Sequence, residues 1–320
     1  MSEVSEAGQG RRRAARVVGL AAVTGLLLGA GSEAAPLGGV ERLPLLRAEA
    51  ALVLDLVSGE VLFSKNPENA LAPASLTKLM TLYLALEDVA AGRVNLEDEV
   101  PVSPRAARTR SSRVPLRAGE RVPLGTLLEA MAVISANDAS MAVAEYLAGT
   151  EEDFVARMNH RAWELGLTET HFTNPHGLPS PDQRSSAWDM AALAIRLFED
   201  YPLALDFLSR RSFHHRRITR NRSLGLLERA FAIECVKTAW TREAGFGLVA
   251  TARHEDRYLL VVILKARNRY QRELAARTLL HYGFPRAARE HPVPVTPASP
   301  LPDPRTASPV PTPSENGSVF

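Results

Sequence analysis

Cysteine is almost absent. Cys235 is the only one in 320 residues, so no intramolecular disulfide can form and the fold must rest on its core. Aromatic residues make up only 6%, yet the hydrophobic share of 46% is enough for a substantial core, in one large domain or two small ones. Neither sign of charge dominates: 38 basic and 36 acidic residues leave a formal charge of +2. That balance gives no broad positive field to hold a phosphate backbone, which argues against nucleic acid as a partner. Residues 182–189 and Glu234 lack metal-ligand spacing, and no metal or other cofactor is expected. No fixed-period repeat is present, and the apolar run at residues 17–30 is short for a membrane span.

That run has a definite context. Arg11, Arg12, Arg13 and Arg16 precede it and small residues follow, with Ser32-Glu33-Ala34 as a cleavage site. Charged, apolar and then small is the order of a secretory signal, so residues 1–34 are read as a signal peptide and the chain as exported, the alternative being a retained anchor. At the other end, nine of the 22 prolines lie after residue 290. With almost no large apolar residues beside them, residues 286–320 are expected to form a disordered, polyproline-like tail.

Between these ends, strand patterns enclose helical ones. "AALVLDLVSGEVLF" has two apolar runs around Ser58-Gly59, which predicts a β-hairpin. Its partners lie far away in "IECVKTAW", "GFGLVATARH" and "RYLLVVILKA", three short β-rich runs separated by turn signals, as antiparallel strands are. Residues 268–282 read as a closing helix. "PLGTLLEAMAVI", "DASMAVAEYLAG", "EEDFVARMNHRAWELG" and "SAWDMAALAIRLFEDY" carry apolar residues at three- and four-residue intervals. The pattern is α+β, with one domain over residues 48–285 whose sheet is completed by distant segments.

Three short motifs carry possible chemistry. In "APASLTKLMT", Ser75 stands near a helix start and Lys78 one turn on along the same face. A neutral amine there would take the Ser75 proton, provided burial or a second cation lowers its pKa. A Ser-x-x-Lys match is expected about once by chance in a chain of this size, so an N-cap serine beside a solvated lysine is the plain alternative. Ser135-Ala136-Asn137 falls between two apolar helices, where a polar turn projects both side chains into a shared cleft; simple loop capping is the alternative. Lys237 and Thr238 lie in a predicted strand, and a lysine among apolar strand residues is costly unless it reaches a cleft or the surface.

Taken in order, serine-lysine on an early helix, serine-asparagine between middle helices and lysine-threonine on a late strand resemble the penicillin-recognising serine hydrolases, above all the D-alanyl-D-alanine carboxypeptidases, the low-molecular-mass penicillin-binding proteins. The likeness extends to "VLDLVSGEVLFSKNPENALAPASLTKLMT", "LLEAMAVISANDASMAVAEYLAG", "FVARMNHRAWELGLTETHFTNPHGLPSPD" and "VKTAWTREAGFGLVATA", and covers about residues 50–284. It implies a β-lactamase/transpeptidase-like fold, with an antiparallel sheet flanked by helices and a mostly helical subdomain. It also implies an acyl-enzyme cycle on peptidoglycan stem peptides. In that cycle Ser75 attacks the carbonyl between two terminal D-alanines and Lys78 takes its proton. Ser135 relays a proton to the leaving amine, while Asn137 holds the substrate amide and orients Lys78. Lys237 and Thr238 bind the terminal carboxylate, and Lys237 helps keep Lys78 neutral. The oxyanion sits between the N–H groups of Ser75 and Trp240. β-Lactam antibiotics are the implied acylating inhibitors.

Two departures from the family pattern stand out. Ala239 replaces the glycine after lysine-threonine, and alternation puts its methyl on the Lys237 face, where it is expected to crowd the cleft. A catalytically impaired peptidoglycan-binding protein is therefore one alternative, and an endopeptidase or β-lactam hydrolase on the same scaffold is another. Many members also carry a β-rich module and an anchoring helix at the C-terminus. Here only the proline-rich tail follows, so a periplasmic enzyme without a C-terminal anchor is expected. His176 in "TNPHGL" matches a family loop near the site and either touches substrate or is a hydrogen-bonded loop histidine. Cys235 reads as a small strand residue rather than a nucleophile. The basic run "RRSFHHRRITRNR" reads as an exposed strand pair rather than a surface for anionic glycan or lipid.

Overall fold

The computed structural model describes residues 46–222 and 225–287. The predicted signal peptide, and all but the first two residues of the predicted tail, lie outside them.

The chain begins with the predicted hairpin: β1 (Ala50–Asp55) pairs antiparallel with β2 (Val61–Lys65). A 3-10 turn at Ala74–Thr77 leads into α1 (Lys78–Ala90). Then come β3 (Glu99–Pro101), α2 (Pro104–Arg108), β4 (Arg121–Pro123), α3 (Leu124–Val133), α4 (Asn137–Ala148), α5 (Glu151–Glu164), α6 (Ala187–Asp200) and α7 (Leu203–Ser209). The basic run forms the hairpin β5 (Ser212–His215) and β6 (Ile218–Asn221). A short helix, α8 (Leu226–Ala230), precedes β7 (Ala232–Thr241), β8 (Gly245–His254), β9 (Arg257–Ala266) and the closing helix α9 (Arg269–Gly283).

The main sheet has the order β2-β1-β9-β8-β7, all antiparallel. The first hairpin therefore finds its partner some 200 residues later, with Ala50 opposite Leu264 and Asp55 opposite Leu259. Both faces of the sheet are buried. Leu52, Leu54, Leu260 and Val262 pack with the helices α1, α3, α4 and α6. Ala51, Val53, Val261 and Ile263 pack against α9 through Ala276, Leu279 and Leu280. Burial on two sides explains why "LLVVIL" is a continuous apolar run rather than an alternating one: each residue has an apolar neighbour whichever way it points. β7 is an edge strand, and its outward edge lies beside the turn that carries Ser75.

Helix ends obey local capping rules where no site intervenes. Thr150, Ser186 and Asn268 each accept an N–H from the third residue of α5, α6 and α9. Ser75, by contrast, makes no capping bond, and the 3-10 turn starts on Pro73 with Ala74 at φ +45°. The plain N-cap role for this serine is not the one it plays. Among the described residues no helix is long and apolar enough to cross a membrane.

Candidate active site

The three motifs converge. Lys78, on the first turn of α1, is 2% exposed and places Nζ 3.3 Å from Ser75 Oγ. The same Nζ donates to Asn137 Oδ1 at 2.7 Å and to the carbonyl of His176 at 2.5 Å. Asn137 is fixed from behind: its Nδ2 donates to the Arg110 carbonyl at 2.9 Å and its N–H to the Ser112 carbonyl at 2.7 Å. Those bonds determine that the amide oxygen, not the nitrogen, faces Lys78. Ser135 is held at φ +60°, a left-handed conformation unusual for serine. Its Oγ accepts from Lys237 Nζ at 2.9 Å, and that amine also donates to the Thr238 carbonyl at 3.1 Å.

Two buried amines face one cleft, and each loses affinity for its proton. Lys78 is driven well below its ordinary range, first by burial and then by the charge of Lys237, with Asp138 opposing. Lys237 is lowered to about 7 by burial, with Arg222 and Arg272 adding to the effect. Burial and the second cation thus both favour the neutral form of Lys78, an amine with two hydrogens and one lone pair. Asn137 Oδ1 and the His176 carbonyl take the two hydrogens, which leaves the lone pair for the Ser75 hydroxyl.

The remaining predicted residues take more particular positions. His176 brings its backbone carbonyl to the site, not its ring. The ring is 6% exposed, accepts the Leu178 N–H at Nδ1, and is held neutral above all by burial, which lowers its pKa to about 3. Trp240 is the last residue but one of β7 and is 58% exposed, its ring centroid 5.8 Å from that of Phe246. Ala239 does share the Lys237 face, but its methyl is only 5% exposed and packs in the core that includes Leu76. Opposite it on β8 stands Gly247, where an added Cβ would lie 3.4 Å from the Ala239 Cβ and 3.6 Å from Leu76 Cδ1. Cys235 is buried, with its thiol pushed up to about 12 by burial, which excludes a thiolate nucleophile at neutral pH.

Several residues at the site carried no sequence signal of their own. Gly177, at φ +83°, lies against the peptide just before the serine, where a Cβ would fall 1.9 Å from the Ala74 carbonyl oxygen. The loop around it is latched to α1 and the turn before it: Thr81 Oγ1 donates to the Pro175 carbonyl at 2.6 Å, and Gln183 Nε2 to Thr77 Oγ1 at 2.8 Å. Asp138, fully buried, accepts the N–H groups of Val114 and Leu116 at 3.1 Å and so ties down the loop whose carbonyls orient Asn137. A cavity of about 340 Å³ opens beside Thr238, bounded by Arg220, Arg222, Arg269, Arg272 and Ile134. Nε of Arg222 and of Arg272 are buried there without a hydrogen-bond partner. The helical periodicity that reveals α9, and the charge run that reveals the β5–β6 hairpin, say nothing about their arginines meeting at Thr238.

A serine on a 3-10 turn and a buried lysine of lowered pKa on the helix that follows, backed by a serine-asparagine turn and a lysine-threonine edge strand, define a serine acyl-transfer site on an α+β scaffold of the penicillin-recognising kind. Residues 39–268 match the D-alanyl-D-alanine carboxypeptidase family model, and the chain belongs to that family. It is 34% identical over 242 residues to the D-alanyl-D-alanine carboxypeptidase DacF of Bacillus subtilis (strain 168), covering 74% of this chain and 62% of that one. It is 36% identical over 247 residues to the D-alanyl-D-alanine carboxypeptidase DacD of Salmonella typhimurium, covering 75% and 63%. The chain thus spans less than two thirds of the length of these two relatives. Among solved structures, penicillin binding protein 6B from Escherichia coli is similar with a TM-score of 0.72 and 34% identity, over 79% of this chain and 81% of that one.

Proposed function

We propose that the protein is a serine-type D-alanyl-D-alanine carboxypeptidase that removes the terminal D-alanine from peptidoglycan stem peptides. One observation carries the reading: Lys78 Nζ lies 3.3 Å from Ser75 Oγ and within bonding distance of Asn137 Oδ1 and the His176 carbonyl, so a neutral amine there spends its two hydrogens on those oxygens and turns its lone pair to the serine. Ser75 gives its proton to Lys78 as Oγ attacks the carbonyl of the penultimate D-alanine. Charge on that oxygen is met by the backbone N–H groups of Ser75 and Trp240. Ser135, held by Lys237, passes the proton to the departing amine, the C–N bond breaks, and D-alanine leaves. Water, activated by the same Lys78, then hydrolyses the Ser75 ester.

The resemblance assigned the terminal carboxylate to Lys237 and Thr238. The geometry favours Thr238 together with Arg222 and Arg272, because all three line the same cavity. Lys237 turns its amine to Ser135 instead. Asn137 holds the substrate amide as well as Lys78. The same acylation makes penicillin a suicide reagent for Ser75, consistent with the name of the Escherichia coli structure. Export to the periplasm, through residues 1–34, follows from the need to reach wall peptides; cell fractionation before and after deletion of those residues tests it.

A fluorescent penicillin and a stem pentapeptide test the enzyme reading together. The full chain should label at Ser75 and release D-alanine, and Ser75→Ala should abolish both. A label that persists in Ser75→Ala overturns the mechanism. Labelling without D-alanine release, but with cleavage of a cross-linked dimer, would instead make it an endopeptidase.

A further inference from the structure

The segment between α2 and β4 is irregular, yet the site depends on it. Residues 110–116 form no helix or strand. Two adjacent residues at the start of α4 hold their backbone at four points. Asn137 donates from Nδ2 to the Arg110 carbonyl at 2.9 Å and from its N–H to the Ser112 carbonyl at 2.7 Å. Asp138 grips the segment with the opposite polarity: the Val114 N–H lies 3.1 Å from both carboxylate oxygens, and the Leu116 N–H donates to Oδ2 at 3.1 Å. The segment also carries strain, with Ser111 at φ +75°, so it keeps this shape only because its surroundings impose it. Asp138 is fully buried, and the Ala139 N–H adds a further bond to Oδ1 at 2.9 Å. An ionised carboxylate can serve N–H donors with both oxygens. An amide of the same shape has one acceptor and one donor end, and cannot.

We propose that Asp138 is a positioning residue for acylation: by fixing residues 110–116, its carboxylate decides which end of the Asn137 amide meets Lys78. The inference rests on the acyl-transfer reading and concerns the proton that Ser75 gives up. With the Arg110 carbonyl in place, Asn137 Nδ2 is spent on it and Oδ1 accepts from Lys78. Once the segment shifts, that carbonyl leaves and the amide is free to turn over. Nδ2 then donates to the Lys78 lone pair, and the base that should take the Ser75 proton is occupied. Asp138 therefore works through Asn137 and not on the reacting atoms.

Asp138→Asn keeps the shape and sets a side-chain N–H against a backbone N–H. Acylation of the full chain by a chromogenic β-lactam, followed by stopped-flow, should fall about tenfold on its pH plateau. The acid limb should also move to lower pH, because the carboxylate that raises the proton affinity of Lys78 is gone and a turned amide disfavours the ammonium form. General loosening of the site would do the reverse, since water reaching Lys78 relieves the burial that lowers its pKa. Lys237 and the neutral His176 ring also face Lys78, and both are the same in the two proteins. In an Asn137→Ala background, which has no amide to turn, Asp138→Asn should cost less than about twofold. A plateau within about twofold of wild type, an acid limb unmoved or shifted upward, or a tenfold loss that persists without the Asn137 amide overturns the proposal. Hydrogen exchange on the wild-type chain gives a reading that no variant's folding affects: the Val114 and Leu116 amides should exchange slowly, and rapid exchange of both refutes the grip of Asp138 on the segment. If penicillin fails to label Ser75 in the wild type, the acyl-transfer reading falls and takes this inference with it. Normal wild-type labelling with an unmoved variant plateau sinks this inference alone.

Discussion

Replacing Lys237 with methionine should make the protein more stable at neutral pH while destroying its activity, and the gain should disappear in alkali. The Lys237 amine is 3% exposed, and its pKa is lowered from an ordinary 10.5 to about 7. Each tenfold loss of proton affinity is worth about 1.4 kcal/mol, so at pH 7 the folded state bears a cost of roughly 4 kcal/mol for holding this amine away from water. Methionine fills similar volume without that cost. It forfeits the hydrogen bonds to Ser135 Oγ and the Thr238 carbonyl, worth roughly 1–2 kcal/mol together, so a net gain of about 2 kcal/mol is expected at pH 7. The sign of the pH dependence follows from proton counting. Between about 7 and 10.5 the unfolded chain binds a proton here that the folded chain does not, so wild-type stability rises with pH across that window, and this contribution is absent from the variant. By pH 9.5 the wild-type cost has shrunk to about 1 kcal/mol and the advantage of the variant has vanished, a swing of about 3 kcal/mol. Urea unfolding of both proteins at pH 7 and 9.5 reads this directly. A variant less stable than wild type at pH 7, by an amount unchanged at pH 9.5, would refute the burial argument.

Other outcomes follow from the same geometry. Gly177→Ala puts a Cβ 1.9 Å from the Ala74 carbonyl oxygen at φ +83°, and should cost roughly 3 kcal/mol or more in urea unfolding and abolish penicillin labelling. Asn137→Ala removes the acceptor that turns the Lys78 lone pair to Ser75, and should slow acylation about 100-fold with stability changed far less. The acylation rate should fall in acid as Lys78 gains its proton, and change again above about pH 7 as Lys237 loses the positive charge it holds beside Ser135; Lys237→Arg should remove that second change, read by stopped-flow with a chromogenic β-lactam.

Much of this was readable before any coordinates. Apolar periodicity marks α3 to α6 and the late strands, and the turn at Ser58-Gly59 marks the first hairpin. The order of the three motifs anticipates the cluster of Ser75, Lys78, Ser135, Asn137 and Lys237. What stayed hidden shares one physical character: it depends on what lies across space from a residue, and periodicity reports only which way a side chain points. Arg222 reads as one of a solvated basic run, yet it is largely covered, and burial lowers its pKa to about 10. Gly177 reads as a loop glycine, and only the approach of the Ala74 peptide explains why no other residue fits. What the Ala239 methyl meets depends on Gly247, which stands opposite it in register but eight positions away in sequence.

The local rules broken around Ser75 also explain why the domain is built as it is. Ala74 and Ser135 hold left-handed backbone conformations, and Lys78, Asn137, Asp138 and Lys237 are polar or charged groups with little or no exposure. Each costs on the order of 1–3 kcal/mol or more unless satisfied. A surface loop cannot hold such a set, because it would relax into water. Here every member is tied to an element that cannot move independently. Lys78 sits on the first turn of a helix buried against the sheet, Asn137 begins α4, and Lys237 lies in a strand paired along its length with β8. A sheet packed on both faces supplies that rigidity, and the loop latched by Thr77 and Thr81 closes the last side. The strained groups therefore remain because relaxing any one of them would require unpacking an element of the core. That is also why a lysine so costly to bury keeps a lone pair aimed at a serine.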